Sequence, residues 1–109
     1  WTPPFMDWAF MLPEDRFAEK WSLIPDDATI LVTHGPPYGT LDLVRRGAHV
    51  GSTSLRDRVA ELESLRLHVF GHVHEARGRT VQRGTVFANA SLLDAQYRPH
   101  GSDVPVFEL

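Results

Sequence analysis

The sequence predicts an α/β fold in which a helix joins two parallel strands and a β-hairpin follows. Residues 28–33 and 67–70 are two short, mainly apolar runs without polar alternation, which predicts strands buried on both faces. Between them, residues 52–65 repeat apolar side chains at the spacing of a helix. Because the order strand, helix, strand normally gives parallel strands with a right-handed crossover, we expect both runs to lie in one sheet.

The region before the first strand predicts an irregular stretch and one short helix. Residues 1–13 combine three prolines with aromatic and other large apolar side chains, which predicts irregular chain packed onto a neighbouring surface. Pro13 and the two acidic residues after it indicate a helix start. Phe17 and Trp21 are four residues apart, so they would share the buried face of a helix that ends before Pro25.

The crossover helix predicted over residues 52–65 would begin at a serine. Ser52 or Ser54 can accept a hydrogen bond from the free N–H groups of the first turn. The apolar positions on its buried face are Leu55, Val59, Leu62 and Leu65.

A β-hairpin is predicted after the second strand. Residues 79–82 and 85–88 flank Arg83-Gly84, a pair suited to a tight turn. Farther on, Pro105 would confine any strand in residues 104–109 to the edge of a sheet.

Composition and charge exclude several kinds of partner. The 109 residues suit one domain or part of one, and the net charge is −3. The 11 basic residues are scattered, so we expect no specific nucleic acid and no membrane as partner. Nothing at the start of these 109 residues reads as a signal peptide, and no apolar stretch approaches the roughly 20 residues that span a bilayer. Together with the absence of cysteine, this favours a cytoplasmic location.

Histidines follow both predicted strands, each beside a glycine. His34 precedes Gly35, and Gly71 precedes His72 and His74. The carboxyl ends of parallel strands meet at one sheet edge, so we expect the three imidazoles to converge there. In extended backbone, positions 72 and 74 would also face the same side. The sequence therefore predicts His34, His72 and His74 as metal ligands.

Neutral imidazoles suit zinc, manganese or iron, and without cysteine no thiolate can contribute. The ligands also need hydrogen-bond acceptors behind them, for which backbone carbonyls, Glu75 and Asn89 are candidates. His68 lies within a predicted strand and is expected to be a hydrogen-bonded core residue. His49 and His100 fall in predicted loops and are expected to be solvated.

Two sequence blocks resemble the last two signature motifs of the calcineurin-like metallophosphoesterases. They are residues 33–37 (Thr-His-Gly-Pro-Pro) and residues 67–75, which end in Gly-His-Val-His-Glu. Residues 89–91 (Asn-Ala-Ser) and the pattern Trp-x-x-x-Phe-x-x-Trp-Ala-Phe in residues 1–10 are similar to the small branch that includes the brain metallophosphodiesterases. The resemblance covers essentially the whole chain.

This resemblance implies a two-metal hydrolase with a four-layer α/β/β/α sandwich. Residues 1–109 would be the C-terminal part of a single domain whose N-terminal half is absent. The resemblance assigns His34 and His72 to the second metal and His74 to the first, with Mn, Fe or Zn as the two ions of a complete site. Relatives in this branch can carry glycine in place of His72.

Three family motifs are absent between residues 1 and 109: Asp-x-His, the Gly-Asp of the bridging carboxylate, and Gly-Asn-His. Without a bridging carboxylate, two cations cannot be held about 4 Å apart. The sequence therefore predicts hydrolysis of phosphate esters with this chain supplying half of the site. The alternative is a non-catalytic fragment or subunit that binds metal weakly or needs a partner chain.

The expected partners follow from this resemblance and, for the two substrate contacts, from their positions just beyond His74 and after a hairpin strand. The substrate would be a phosphate-ester small molecule or a nucleotide, with Asn89 and Arg77 as its contacts. A half-sandwich exposes an apolar face, so the chain would pair with its missing N-terminal half or self-associate. Two other His-x-His families are excluded. A metallo-β-lactamase-like enzyme needs Asp and His where Ala76 and Arg77 stand, and an amidohydrolase barrel needs about 250 residues.

Overall fold

Four strands form a single mixed sheet in the computed structural model, which describes residues 12–101 and 104–109. The elements are helix α1 Glu14–Trp21, strand β1 Ile30–Val32, helix α2 Thr53–Glu61, strand β2 Leu67–Phe70, a 3₁₀ turn His74–Ala76, strand β3 Gly78–Gln82 and strand β4 Thr85–Asn89. The strand order is β1-β2-β4-β3, in which β1, β2 and β4 are parallel and β3 is antiparallel to β4. The α/β class, the parallel pair joined by a helix and the hairpin are confirmed.

The hairpin turn has the backbone conformation expected of a tight two-residue connection. Arg83 has a φ of 51° and Gly84 a φ of 83°. Two positive φ values match the twist of the flanking antiparallel strands. The turn therefore fixes the register in which Gln82 pairs with Thr85.

The expectation that β1 is buried on both faces is wrong. Ile30 is 50% exposed and Val32 is 72% exposed, while Leu31 between them is partly buried against the helices. The strand is also shorter than the predicted run of residues 28–33. The reason is its position, since β1 lies at the edge of the described sheet with helices packed on the face of Leu31. In β2, by contrast, Leu67 and Phe70 are buried as predicted.

The core lies between the two helices and the sheet. Phe17 and Trp21 are buried on one face of α1, as predicted, with their ring centroids 5.4 Å apart. Leu55 of α2 completes this cluster at 1% exposure. Leu12, Ile24, Leu31 and Val59 pack around it. Most of the predicted irregular segment, residues 1–11, lies outside the described residues.

A serine cap and a carboxylate from α1 hold the start of α2. The Ser52 hydroxyl accepts a hydrogen bond from the N–H of Leu55 (3.1 Å), so the predicted cap is confirmed at Ser52. Ser54 instead donates its own N–H to Glu14 of α1 at 2.8 Å. A carboxylate is favourable at the positive end of a helix. Glu14 therefore links the two helices at the start of α2.

α2 ends at Glu61, earlier than the predicted helix over residues 52–65. Leu62 and Leu65 are buried but lie in the connection to β2. Residues 104–109 contain no strand, so Pro105 lies in irregular chain. No helix in the described ranges is long and apolar enough to cross a membrane.

Candidate metal centre

The carboxyl ends of β1 and β2 bring two of the predicted ligands into contact. The ring centroids of His34 and His72 are 5.0 Å apart, with 52° between the ring planes. The segments that carry them are joined directly, because the Gly71 N–H donates to the His34 carbonyl at 2.9 Å. This contact follows from the parallel pairing of β1 and β2, which places both strand ends at one edge.

The backbone at His72 is not extended, contrary to the sequence-based expectation. His72 has a φ of 68°, in the left-handed region, and a 3₁₀ turn begins at His74. Side chains two positions apart face the same side only in extended chain. A left-handed conformation costs a non-glycine residue roughly 1–2 kcal/mol. His72 is therefore strained at the point where the chain leaves β2.

His74 makes a different set of contacts. Its Nδ1 lies 3.0 Å from the carbonyl oxygen of Asp94, and the Tyr97 ring packs edge-on at a centroid distance of 5.1 Å. A carbonyl can only accept, so Nδ1 carries the proton and the lone pair is on Nε2. This arrangement is common behind metal-binding histidines because it fixes the tautomer. The acceptor is thus a backbone carbonyl, whereas Glu75, another candidate, accepts from the N–H of Arg45 at 3.1 Å.

Partial loss of water lowers the pKa of both contacting imidazoles. Burial lowers the pKa of His34, and it lowers the pKa of His72, which is reduced further by the positive charge that His34 or His74 would carry. Both rings are therefore neutral near pH 7. The neutral form is the one that binds a metal ion.

The contact of His34 and His72 is observed, and metal binding by His34, His72 and His74 stays a prediction. Residues 12–101 and 104–109 contain no group of three or more His, Cys, Asp or Glu side chains that could hold a metal ion. The neutral imidazoles of His34 and His72 fit a divalent cation as a pair of ligands, and the tautomer of His74 leaves its Nε2 able to bind one.

The two predicted substrate contacts make hydrogen bonds within the protein. The Arg77 guanidinium donates to the carbonyl of Ser91 and is partly buried. Asn89 is 2% exposed, and its amide nitrogen donates to the carbonyls of Leu41 (3.1 Å) and Val73 (2.8 Å). Substrate binding by Arg77 and Asn89 stays a prediction.

His68 is fully buried and supports the turn that carries His34. Its Nε2 lies 2.9 Å from the Thr33 hydroxyl, which donates its one hydrogen to the Gly35 carbonyl at 2.7 Å. Thr33 must therefore accept from His68, so Nε2 is protonated and the buried Nδ1 has no partner. Burial lowers the pKa of His68 to about 4. The expectation of a core histidine is confirmed, with one of its two nitrogens hydrogen-bonded.

Sequence reasoning missed the partner of His49. This side chain was expected to be solvated, but its Nδ1 donates to the carboxylate of Asp42 at 2.6 Å. Asp42 is fully buried, and its second oxygen accepts from the N–H groups of Gly39 (3.0 Å) and Gly51 (2.9 Å). An aspartate between two glycines that allow tight turns was the available signal. His100 is exposed, as predicted.

Comparison with known proteins gives the following relatives. No model of a known protein family matches the chain. Metallophosphoesterase domain-containing protein 1 of Homo sapiens, and equally that of Mus musculus, is 44% identical over 101 residues, which cover 91% of this chain and 31% of the relative. A UPF0046 protein of Caenorhabditis elegans is 36% identical over 111 residues, which cover 97% of this chain and 28% of the relative. The chain therefore spans about a third of the length of these curated relatives.

Proposed function

Because the chain is related over nine tenths of its length to metallophosphoesterase domain-containing proteins, we propose that it supplies the histidine part of a two-metal site for phosphate-ester hydrolysis. The observation that carries the proposal is the contact of His34 and His72 at the carboxyl ends of adjacent parallel strands. In this proposal, residues 1–109 form the C-terminal part of one domain with a four-layer α/β/β/α sandwich. The exposed face of β1, with Ile30 and Val32, would pack against the N-terminal half.

Each histidine has a distinct part in the proposed site. His34 and His72 are neutral ligands of the second cation, and His74 offers Nε2 to the first. When bound, two divalent ions (Mn, Fe or Zn) activate water and neutralise charge on the phosphoryl oxygens. Neutral ligands leave the site positively charged, which favours an anionic substrate such as a phosphodiester or nucleotide. Arg77 would add a cation close to this edge, and the protein would act in the cytoplasm.

The test is metal-dependent hydrolysis of bis-(p-nitrophenyl) phosphate with added Mn²⁺. We compare the 109-residue chain with a longer polypeptide that adds the N-terminal half. Activity is expected only in the longer form, and His34→Gln should reduce it at least about 100-fold because a ligand is lost. Glu63→Gln is the control, since it changes an exposed side chain just before β2 and should leave the rate unchanged. Absence of activity in both lengths would refute the proposed hydrolase.

A second candidate is a non-catalytic fragment or subunit. It is favoured by one observation, namely that the described residues contain no group of three or more side chains that could hold a metal ion. Such a chain would bind metal weakly, and its exposed Ile30 and Val32 would make it self-associate. Hydrolysis by the longer polypeptide separates the two candidates, and Zn²⁺ titration with light scattering tests the properties expected of the fragment. Tight binding of two ions by a monomeric 109-residue chain would exclude the fragment.

A further inference from the structure

Asn89 connects two segments of the chain that carry different histidines. It is the last residue of β4 and pairs with Phe70, the last residue of β2. Its amide nitrogen donates one hydrogen bond to the carbonyl of Leu41 (3.1 Å) and one to the carbonyl of Val73 (2.8 Å). Leu41 lies in the loop that follows His34, and Val73 lies between His72 and His74. A single side chain thus holds both loops.

The orientation of this amide follows from its partners. The Asn89 oxygen lies 3.1 Å from the backbone N of Ser91 and 2.7 Å from its hydroxyl. A backbone N–H can only donate, so the group facing Ser91 must be the acceptor oxygen. Two carbonyls on the opposite side can only accept, so that group must be the NH₂. Each of the four polar groups around the Asn89 amide therefore has a suitable hydrogen-bond partner, and the Asn89 residue is 2% exposed.

We infer that Asn89 is a positioning residue, whose two amide hydrogens hold the His34 and His72 loops at the distance that puts their imidazoles in contact. Asparagine is suited to this role because its short side chain carries two donors and one acceptor in one plane. An aspartate there keeps the acceptor toward Ser91 but turns the donor side into an oxygen that faces two carbonyls. The inference concerns the geometry of the metal-free chain. Only its consequence for metal affinity rests on the proposed function.

The experiment compares three variants of the 109-residue chain without metal. Asn89→Asp removes the two donors, whereas Ser91→Ala removes one bond on the acceptor side. Thr85→Val is the control for stability. It removes a buried hydrogen bond from the same strand, the 2.8 Å bond to the Leu65 carbonyl, at the end of the sheet away from the histidines. The readout is the nuclear Overhauser effect between ring protons of His34 and His72, which 5.0 Å between centroids makes observable in the wild type.

We expect the ring-to-ring signal to be lost in Asn89→Asp and retained in Ser91→Ala and Thr85→Val. Zn²⁺ affinity should fall about 10- to 100-fold in Asn89→Asp alone, as for other groups that orient metal ligands. An unchanged ring-to-ring signal in Asn89→Asp overturns the inference, as does its loss in Thr85→Val. If neither the wild-type chain nor any variant binds Zn²⁺, the ring-to-ring signal still decides the role of Asn89, and the proposed function is decided separately by hydrolysis in the longer polypeptide.

If a variant does not fold, the inference can be tested directly on the wild-type chain. Both Asn89 side-chain amide protons should exchange with water at least about 100-fold more slowly than those of the exposed Gln96, because they are buried and hydrogen-bonded. Exchange at the rate of Gln96 would overturn the inference.

Discussion

Acidification should destabilise the chain through His68. Burial lowers the pKa of this imidazole from 6.5 to about 4, so the folded protein binds its proton less readily than the unfolded chain does. Stability is therefore complete above pH 6.5 and falls as the pH drops from there through about 4. Linkage gives a loss of about 2 kcal/mol at pH 5 and a limit of about 3.4 kcal/mol below pH 4. His34 and His72, whose pKa values are also lowered, change stability in the same direction.

Urea unfolding measured between pH 7.5 and pH 5 tests this magnitude. At pH 5 most carboxylates remain ionised, so the histidines dominate the change. His68→Gln removes the titrating ring but keeps a donor for Thr33, and it should flatten the curve by about 2 kcal/mol. Leu23→Ala, which changes an exposed side chain and keeps every titrating group, should follow the wild type. Equal pH dependence in His68→Gln and the wild type would show that the buried imidazole is not the source.

Two further predictions follow from backbone strain and packing. His72→Gly should raise the melting temperature by about 4–8 °C, because glycine relieves roughly 1 kcal/mol of strain at a φ of 68°. The affinity for Zn²⁺ should fall in the same variant. Calorimetry that shows a lower melting temperature would contradict this prediction. Leu55→Ala should lower the free energy of unfolding in urea by about 2–5 kcal/mol, because the Leu55 side chain is 1% exposed. Leu23→Ala, whose side chain is 76% exposed, should change it by no more than about 0.5 kcal/mol. Equal losses in the two variants would contradict the assigned core.

The sequence predicted which strands end in histidine but not how the chain turns after them. The expectation that both strands run parallel placed His34 and His72 at one sheet edge, where their rings are in contact. The left-handed conformation at His72 was not predictable, because a non-glycine residue rarely adopts it without support from surrounding contacts. That support includes the hydrogen bond from Gly71 to the His34 carbonyl, which joins residues far apart in the sequence.

Burial was predicted correctly where it depends on helical spacing, and incorrectly where it depends on the position of a strand in the sheet. Phe17 and Trp21 are buried because helical spacing puts them on one face. The apolar run around Ile30 has the composition of a central strand, yet it lies at the edge of the described sheet. The apolar composition of a segment predicts that it is buried, but it does not predict which neighbouring segment covers it. The same holds for Asp42, whose carboxylate is buried by a loop that no periodic pattern marks.

Neutral groups hold the two contacting histidine loops together, and this has a consequence for metal binding. The groups are the Gly71 N–H, the Thr33 hydroxyl and the Asn89 amide, none of which needs a counter-ion. Hydrogen bonds within the protein itself therefore join the segments that carry His34 and His72. Two neutral imidazoles, however, leave the charge of a divalent cation uncompensated, and the described residues bring no third His, Cys, Asp or Glu into a group that could hold one. A carboxylate from another part of the protein would both bridge two cations and balance their charge. The affinity of the 109-residue chain for Zn²⁺ therefore measures how much of the proposed site this chain contains.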